Sequence, residues 1–416
     1  MTEPQRDVNP TPVGESISID TALACIKEYP RAEGCEILRL ADCLGRVLAD
    51  DLVASQPVPA HPSSAMDGFA FRHRDAVAQP RLPLQGHVAA GHPLDEPLRD
   101  GHAVRILTGG VIPVGADTVA KQEDCQIDGD GVVLPAHLAV GANCRQIGDD
   151  IRRGVTVVGA GTRLRPQDIG VAASMGLTAL TVHRRLRVGV VATGDELRSE
   201  GETLPTGCVR NSNSPMLTAL SSSLGAEVTD YGVVVDNRSE IRSVLLRAAG
   251  ENDVVLSTGG VSVGDEDHVR HVVKELGELT FWKLPIKPGR PLAVGRVGHT
   301  PFVGLPGNPV SALVAFWLIG RPMLLHLGGA TRLDTVRYSV IADFEHRHSR
   351  GRREFLCGHL HADGSAELQS TVPRPVGSGM LSAVASSDGL IEILEDDGDV
   401  SRGDRVRFLP YTSLLN

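Results

Sequence analysis

The chain has 416 residues, 41% of them hydrophobic and 22% charged, which excludes one small binding module, a wholly disordered chain and a fibrous one. Lys and Arg total 41 against 51 Asp and Glu, a formal net charge of −10. That disfavours a general nucleic-acid binder, and an anionic ligand then needs a local basic cluster or a metal ion. With 8 Phe, 4 Tyr and 2 Trp, the stacking platforms of single-strand binders are not evident either.

In chain order, the opening segment lacks the basic-then-apolar pattern of a secretory signal. Seven cysteines, Cys25, Cys35, Cys43, Cys125, Cys144, Cys208 and Cys357, are scattered without a C-x-x-C pair and read as buried or inert thiols, so a reducing cytoplasm is expected. Ser18 precedes Ala22, Leu23, Ile26 and Tyr29 as an N-cap before helical spacing, and Pro30 stops that helix. From Val53 to Asp150, short Val, Leu and Ile runs broken by Gly and Pro suit a mostly β domain. Pro166-Gln-Asp starts a helix that ends at Gly176.

From Arg187 strands and helices alternate: RVGVVATGDEL, a helix over 214–224, VTDYGVVVD, a helix from Ser239, DVVLSTGG, a helix over 267–276, strands over 279–284 and 292–297, and a last helix entered from Leu305-Pro-Gly-Asn-Pro. This grammar predicts a doubly wound parallel sheet. The apolar stretch 310–325 is interrupted by Ser311, Gly320, Arg321 and Pro322, falls short of a membrane span of about 20 apolar residues, and reads as a buried helix. After Gly329 short strands and turns predict a small β domain. The boundaries expected are 15–50 with 151–185 for an elongated linking and dimerisation domain, 51–150 for a mostly β insertion, 186–330 for the α/β domain and 331–416 for the C-terminal β domain.

Open α/β sheets bind ligands beyond the carboxyl ends of their strands, and three loops lie there: Thr193-Gly-Asp-Glu196, Ser257-Thr-Gly-Gly-Val-Ser-Val-Gly-Asp-Glu-Asp267 and Pro306-Gly-Asn-Pro309. Paired glycines with hydroxyls permit an anion nest, and Asp265, Glu266 and Asp267 can hold a hard cation. Each loop alone is an ordinary strand-to-helix turn. None carries GxGxxG or GxxxxGK[ST]. Lys283, Lys287 and Arg290 form the local basic cluster, and alternation puts the two lysines on one face of a strand that Pro285 and Pro288 interrupt. Asp67-Gly68 reads as a hairpin turn, Arg105 to Gly110 and Lys121-Gln-Glu123 as ordinary loop and strand-end compositions. The 15 histidines show no ligand spacing.

The ordered set SAMDGFA, RILTGG with IPVGAD, KQED, GDDIRRG, ATGDEL, RNSNSPML, STGGVSVGDED, FWKLPIKPGRP, LPGNPVSAL and GRREFL resembles the molybdopterin molybdenumtransferase family, the MoeA and gephyrin E-domain proteins, from about Ser16 to the C-terminus. The resemblance implies a multidomain α/β plus β fold: a doubly wound molybdopterin-binding domain, a mostly β inserted domain, an elongated linking domain and a C-terminal small β-barrel. It implies insertion of molybdate into adenylylated molybdopterin with release of AMP, assisted by Mg2+ or another divalent cation, in a cytoplasmic homodimer whose cleft joins the α/β domain of one subunit to the β domain of the other. Contact with molybdopterin adenylyltransferase is a further implied partnership; neither nucleic acid nor membrane is.

Carried over by motif, catalytic positions fall on Asp67, Thr108, Arg145, Asp150, Glu196, Asp236, Asp267, Lys283 and Lys287, with Asp236, Asp267 and Glu196 as the metal ligands. Substrate positions fall on Thr193, Gly194, Asp195, Asn213, Ser257, Thr258, Gly259, Gly260, Ser262, Gly264, Arg290, Pro306, Gly307, Asn308 and Ser378. Lys283, Lys287 and Arg145 would neutralise phosphate or molybdate, while Thr193 and Thr258 would donate hydrogen bonds. Two departures stand out: His61-Pro62 replaces an aromatic-acid pair, and Ala120-Lys121-Gln122-Glu123 replaces a more apolar lead-in. Two alternatives are a molybdopterin adenylyltransferase, against which STGGVSVGD argues, and a non-catalytic scaffold, against which the retained acids and lysines argue.

Overall fold

Residues 17–260, 268–368 and 379–414 are described by the structure, a computed structural model. Ser18 caps the first helix, Ile19–Lys27, its side chain accepting from the Thr21 N–H at 3.0 Å. The apolar stripe Ile19, Ala22 and Ile26 is buried against the final helices of the α/β domain. Strand Cys35–Arg39 pairs antiparallel with Ala179–His183, and helix Pro166–Ser174 ends at Gly176, where φ is +78°. Together with Leu52–Val53 and Thr156–Val158 they enclose a small core of Leu48, Leu164, Met175 and Val182.

Between these segments lies a six-stranded sheet in the order Thr118–Lys121, Gly68–Phe71, Ala103–Ile106, Arg81–Val88, Gly131–Val133, Gln126–Asp128. Asp67-Gly68 is not the hairpin turn that its composition suggests. Gly68 opens a central strand, and a Cβ there would lie 1.8 Å from the Ala120 carbonyl oxygen. The glycine serves close strand approach rather than a turn.

The α/β domain holds a second six-stranded sheet, ordered Glu227–Val234, Arg187–Thr193, Val254–Thr258, Thr300–Leu305, Pro291–Val297, Gly277–Lys283. The strands Arg187–Thr193 and Val254–Thr258 are apolar on both faces because a separate core covers each side. The expected all-parallel arrangement fails at one strand: Pro291–Val297 runs antiparallel to both neighbours. The two residues Gly298-His299 before Thr300 force a tight hairpin, with Gly298 at φ +59°. The last helix, Pro309–Leu327, is long and apolar enough to cross a membrane, but it is entirely buried within the protein. Asp253 fastens the linking segment to this sheet, accepting from Arg184 at 2.6 and 2.9 Å and from the Arg187 N–H at 2.8 Å. Burial alone would raise its carboxyl, yet the two arginines bring it down to about 2.

In the C-terminal sheet, pairing of Arg353–Leu360 with Gly389–Ile393 closes a ring of five strands with Ser365–Leu368, Tyr338–Ala342 and Arg405–Pro410. This is the expected small barrel. Strand Ile286–Lys287 of the α/β domain joins its edge in parallel, Lys287 opposite Glu354. Of the cysteines, all free, Cys43 and Cys357 are buried and Cys35 is exposed.

Candidate functional site

At the carboxyl ends of the parallel strands, Asn213 at the start of helix Asn213–Ser223 ties two loops together. Its Nδ2 donates to Thr258 Oγ1 at 2.7 Å and to the Gly307 carbonyl at 2.8 Å, while Thr258 Oγ1 donates to the Pro306 carbonyl at 3.1 Å. Ser257 and Thr258 are buried, so they brace the crevice from within. Three buried polar atoms around them, Thr193 Oγ1, Asn213 Oδ1 and Ser257 Oγ, have no hydrogen-bond partner among the described residues. Leaving such groups unsatisfied is costly, and a polar ligand at the crevice would relieve it. Gly259 and Gly260 have φ of +82° and +63°, and a Cβ on Gly259 would lie 2.3 Å from the Thr193 carbonyl. Only bare backbone lets this loop pass so near the strand end.

Beside the crevice the acids of two loops meet. The Asp236 N–H donates to Asp195 Oδ1 at 3.0 Å, fixing one loop to the other. Asp236 Oδ1 is itself buried without a partner among the described residues. Burial pushes the Asp236 carboxyl above its ordinary range, and the charges of Asp195 and Glu196 push it further, against the opposing pull of His268. Asp195 and Glu196 are exposed, and Gly194 turns so tightly that a Cβ would meet the Glu196 carboxylate at 2.6 Å. His268, missed in the sequence reading, borders a hollow with Asp236, Asn237 and Arg242. Asp267, Ser262, Gly264 and Ser378 lie outside the described residues.

The two lysines do not share a strand. Lys283 ends Gly277–Lys283 of the α/β sheet, whereas Lys287 belongs to the two-residue strand on the barrel edge. The prolines between them break the alternation and let the loop change partners. Lys283, Arg290 and Arg145 are exposed and form no ion pair with a described residue, so their charges remain available. Lys287 instead faces Glu354, an acid missed in the sequence reading although it stands inside the GRREFL motif. Its signal is a lone carboxylate followed at once by apolar Phe355-Leu-Cys in a strand.

In the β domain, Asp67 Oδ1 accepts from both the backbone N–H and the hydroxyl of Thr108, each at 2.7 Å. Those hydrogen bonds hold its carboxyl below the usual range. Ser63–Ser64 pairs with Cys144–Arg145, Ser64 also bonds Gly109 and Gly110, and Ala65 bonds Asn143, so the Asp67, Thr108 and Arg145 loops form one exposed surface. Asp150, also exposed, is tied through its N–H to the Val58 carbonyl. No hydrogen bond or ion pair among the described residues joins this surface to the crevice of the same chain. A Thr108→Val protein is expected to let the Asp67 carboxyl rise toward its ordinary value, which an NMR titration of the Asp67 side chain would read.

Comparison with known proteins gives one answer along the whole chain. Residues 17–176 match the family described as MoeA N-terminal region (domain I and II), 189–326 the probable molybdopterin binding domain, and 340–411 the MoeA C-terminal region (domain IV). The chain is 35% identical over 394 residues to a Haemophilus influenzae protein named molybdopterin molybdenumtransferase, covering 94% of this chain and 97% of that one. It is 34% identical to a Mycobacterium tuberculosis protein named molybdopterin molybdenumtransferase 2, covering 90% and 94%. A crystal structure of the molybdopterin biosynthesis MoeA protein from Pyrococcus horikoshii superposes with a TM-score of 0.79 at 29% identity, covering 95% of this chain and 100% of that one. With its three regions matched in order and a relative 35% identical over nearly its full length, the chain belongs to the MoeA family of molybdopterin molybdenumtransferases.

Proposed function

We propose that this chain inserts molybdate into adenylylated molybdopterin and releases AMP, completing the molybdenum cofactor in the cytoplasm. The observation that carries the reading is the crevice bounded by Thr193, Asn213 and Gly259, whose polar atoms unpartnered among the described residues and bare backbone suit a phosphorylated pterin, with exposed Lys283 ending the edge strand of the same sheet. Relatives sharing about a third of the sequence over nearly its full length are named molybdopterin molybdenumtransferase, which supports it.

A divalent cation, magnesium by its hard oxygen donors, fits the acid group in part. Among the described residues no three such ligands are gathered at metal-binding spacing. Yet Asp236 Oδ1 is buried without a partner among the described residues, and its carboxyl is burdened by burial and two acids, both of which a cation would relieve. Asp236 and Glu196 would hold it, with Asp267 as the third ligand. The ion would supply charge neutralisation at the phosphate oxygens. The chain's own residues do the remainder: Asp195 holds the Asp236 loop, Thr193 and the glycine backbone donate to the pterin phosphate, and Lys283 and Arg290 draw in the oxyanion.

The reaction needs a second subunit. No hydrogen bond or ion pair among the described residues joins Asp67, Thr108 and Arg145 to the crevice of their own chain, and the linking domain exposes Ile37, Leu44 and Val155, of which Ile37 is 75% exposed. Covering those apolar residues in a homodimer would bring the β-domain surface of one subunit to the crevice of the other, and passing AMP-charged pterin from the adenylyltransferase would follow at the same mouth. Expression in a bacterial strain lacking the transferase should restore molybdoenzyme activity, and Lys283→Ala should lower that rescue at least about tenfold. A strain left without activity by the unmutated chain would contradict the assignment.

A further inference from the structure

The barrel buries two carboxylates on neighbouring strands, and they are neutralised differently. Glu392 is enclosed by arginines of its own barrel, Arg337 at 2.8 Å, Arg353 at 3.2 Å and Arg407 at 3.9 Å. That is a self-contained structural network. Glu354, whose side chain is 0% exposed, instead meets Lys287 Nζ at 3.3 and 3.4 Å, one distance to each carboxylate oxygen. Its Oε2 also accepts from His346 Nε2 at 2.9 Å. Burial would raise this carboxyl, but the histidine and the lysine outweigh it and leave it below its ordinary value, so it is an anion.

Geometry makes the pairing one-sided. Glu354 is fixed in a barrel strand, backed by His346 and locked in register opposite Lys287, with the Arg353 N–H donating to the Pro285 carbonyl at 2.7 Å. Lys287 is 53% exposed and ends the two-residue strand between Lys283 and Arg290. A free lysine side chain samples many rotamers. Here a carboxylate that cannot follow it fixes where its ammonium sits, while an ammonium with three donors keeps one for a ligand.

We propose that Glu354, backed by His346, is a positioning residue for the transfer reaction: it pins the Lys287 ammonium at the junction of the α/β domain and barrel so that Lys287 meets the incoming oxyanion ready placed. This deepens the transferase reading and rests on it. Two physical effects oppose each other when the charge is removed. Losing the pin lets Lys287 wander, which weakens oxyanion binding; losing the negative charge by itself strengthens the attraction of Lys287 for an oxyanion. Pinning is expected to win because Glu354 lies inside the barrel, screened from a ligand by the lysine itself.

The test uses the full-length protein with adenylylated molybdopterin and molybdate. In Glu354→Gln the KM for molybdate is expected to rise about tenfold, equivalent to about 1.4 kcal/mol, with kcat changed less than about twofold. Glu354→Asp, which keeps the charge, should recover part of that loss. In a Lys287→Met background Glu354→Gln should add nothing, the non-additivity expected of two groups acting as one. A fall in KM, or equal additional losses in both backgrounds, would overturn the positioning role. Acylation of Lys287 by an amine-directed reagent, followed by peptide mapping, does not depend on catalysis and should be severalfold faster in Glu354→Gln, with Lys283 unchanged. If the unmutated chain releases no AMP, the transferase reading falls, and the acylation ratio decides the pairing: a ratio near one overturns it.

Discussion

An Asp236→Asn protein is expected to release AMP at least about a hundredfold more slowly than the unmutated chain and, in the absence of divalent cations, to melt about 1–2 °C higher. The two effects share one cause. Burial and the neighbouring acids raise the Asp236 carboxyl in the folded state, so the folded protein binds that proton more tightly than the unfolded chain. Stability tied to this group is complete below the unfolded carboxylate range near about 4 and is lost as pH rises through the higher folded value. At neutral pH the ionised acid is therefore a net cost that asparagine removes. Calorimetry with and without magnesium would show it: added magnesium should raise the midpoint of the unmutated chain but not of the variant. A lower midpoint for Asp236→Asn without cation would mean that the acid stabilises the fold rather than serving a ligand.

Gly68→Ala should be the most damaging small substitution in the β domain, costing about 3 kcal/mol or more. An added Cβ would stand 1.8 Å from the Ala120 carbonyl oxygen, backbone that cannot rotate aside, so the strand Gly68–Phe71 must part from Thr118–Lys121. Asp67 is the preceding residue, and its bonds to Thr108 would be lost with the register. Urea unfolding followed by a β-domain signal should shift to markedly lower midpoint, and rescue of molybdoenzyme activity should fail.

Much of this fold was legible because its local signals agree with its tertiary demands. Ser18 caps, Pro166 opens and Gly176 ends the helices that their chemistry indicates, and the buried strands read as unbroken Val and Leu runs because both faces are covered. The antiparallel strand Pro291–Val297 was not legible from periodicity, since strand direction is set by the length of the connection and not by the residues in the strand. Asp67-Gly68 was misread for a related reason: a glycine that permits close approach of another strand looks, along the chain, like one that permits a turn. The candidate site was legible at the strand ends, where Thr193, Gly259 and Asn213 gather as their loops suggested. Glu354 and His268 were not, because what marks them is a partner distant along the chain: Lys287 lies 67 positions from Glu354, and Asp236 is brought to His268 only by packing.

The most direct test gives the purified chain adenylylated molybdopterin and magnesium, then adds molybdate while AMP and assembled cofactor are followed together. AMP should appear on addition of molybdate and in equal amount to the molybdenum cofactor. A chain that ignores molybdate, and instead accumulates AMP-charged pterin when supplied with molybdopterin and ATP, would contradict it.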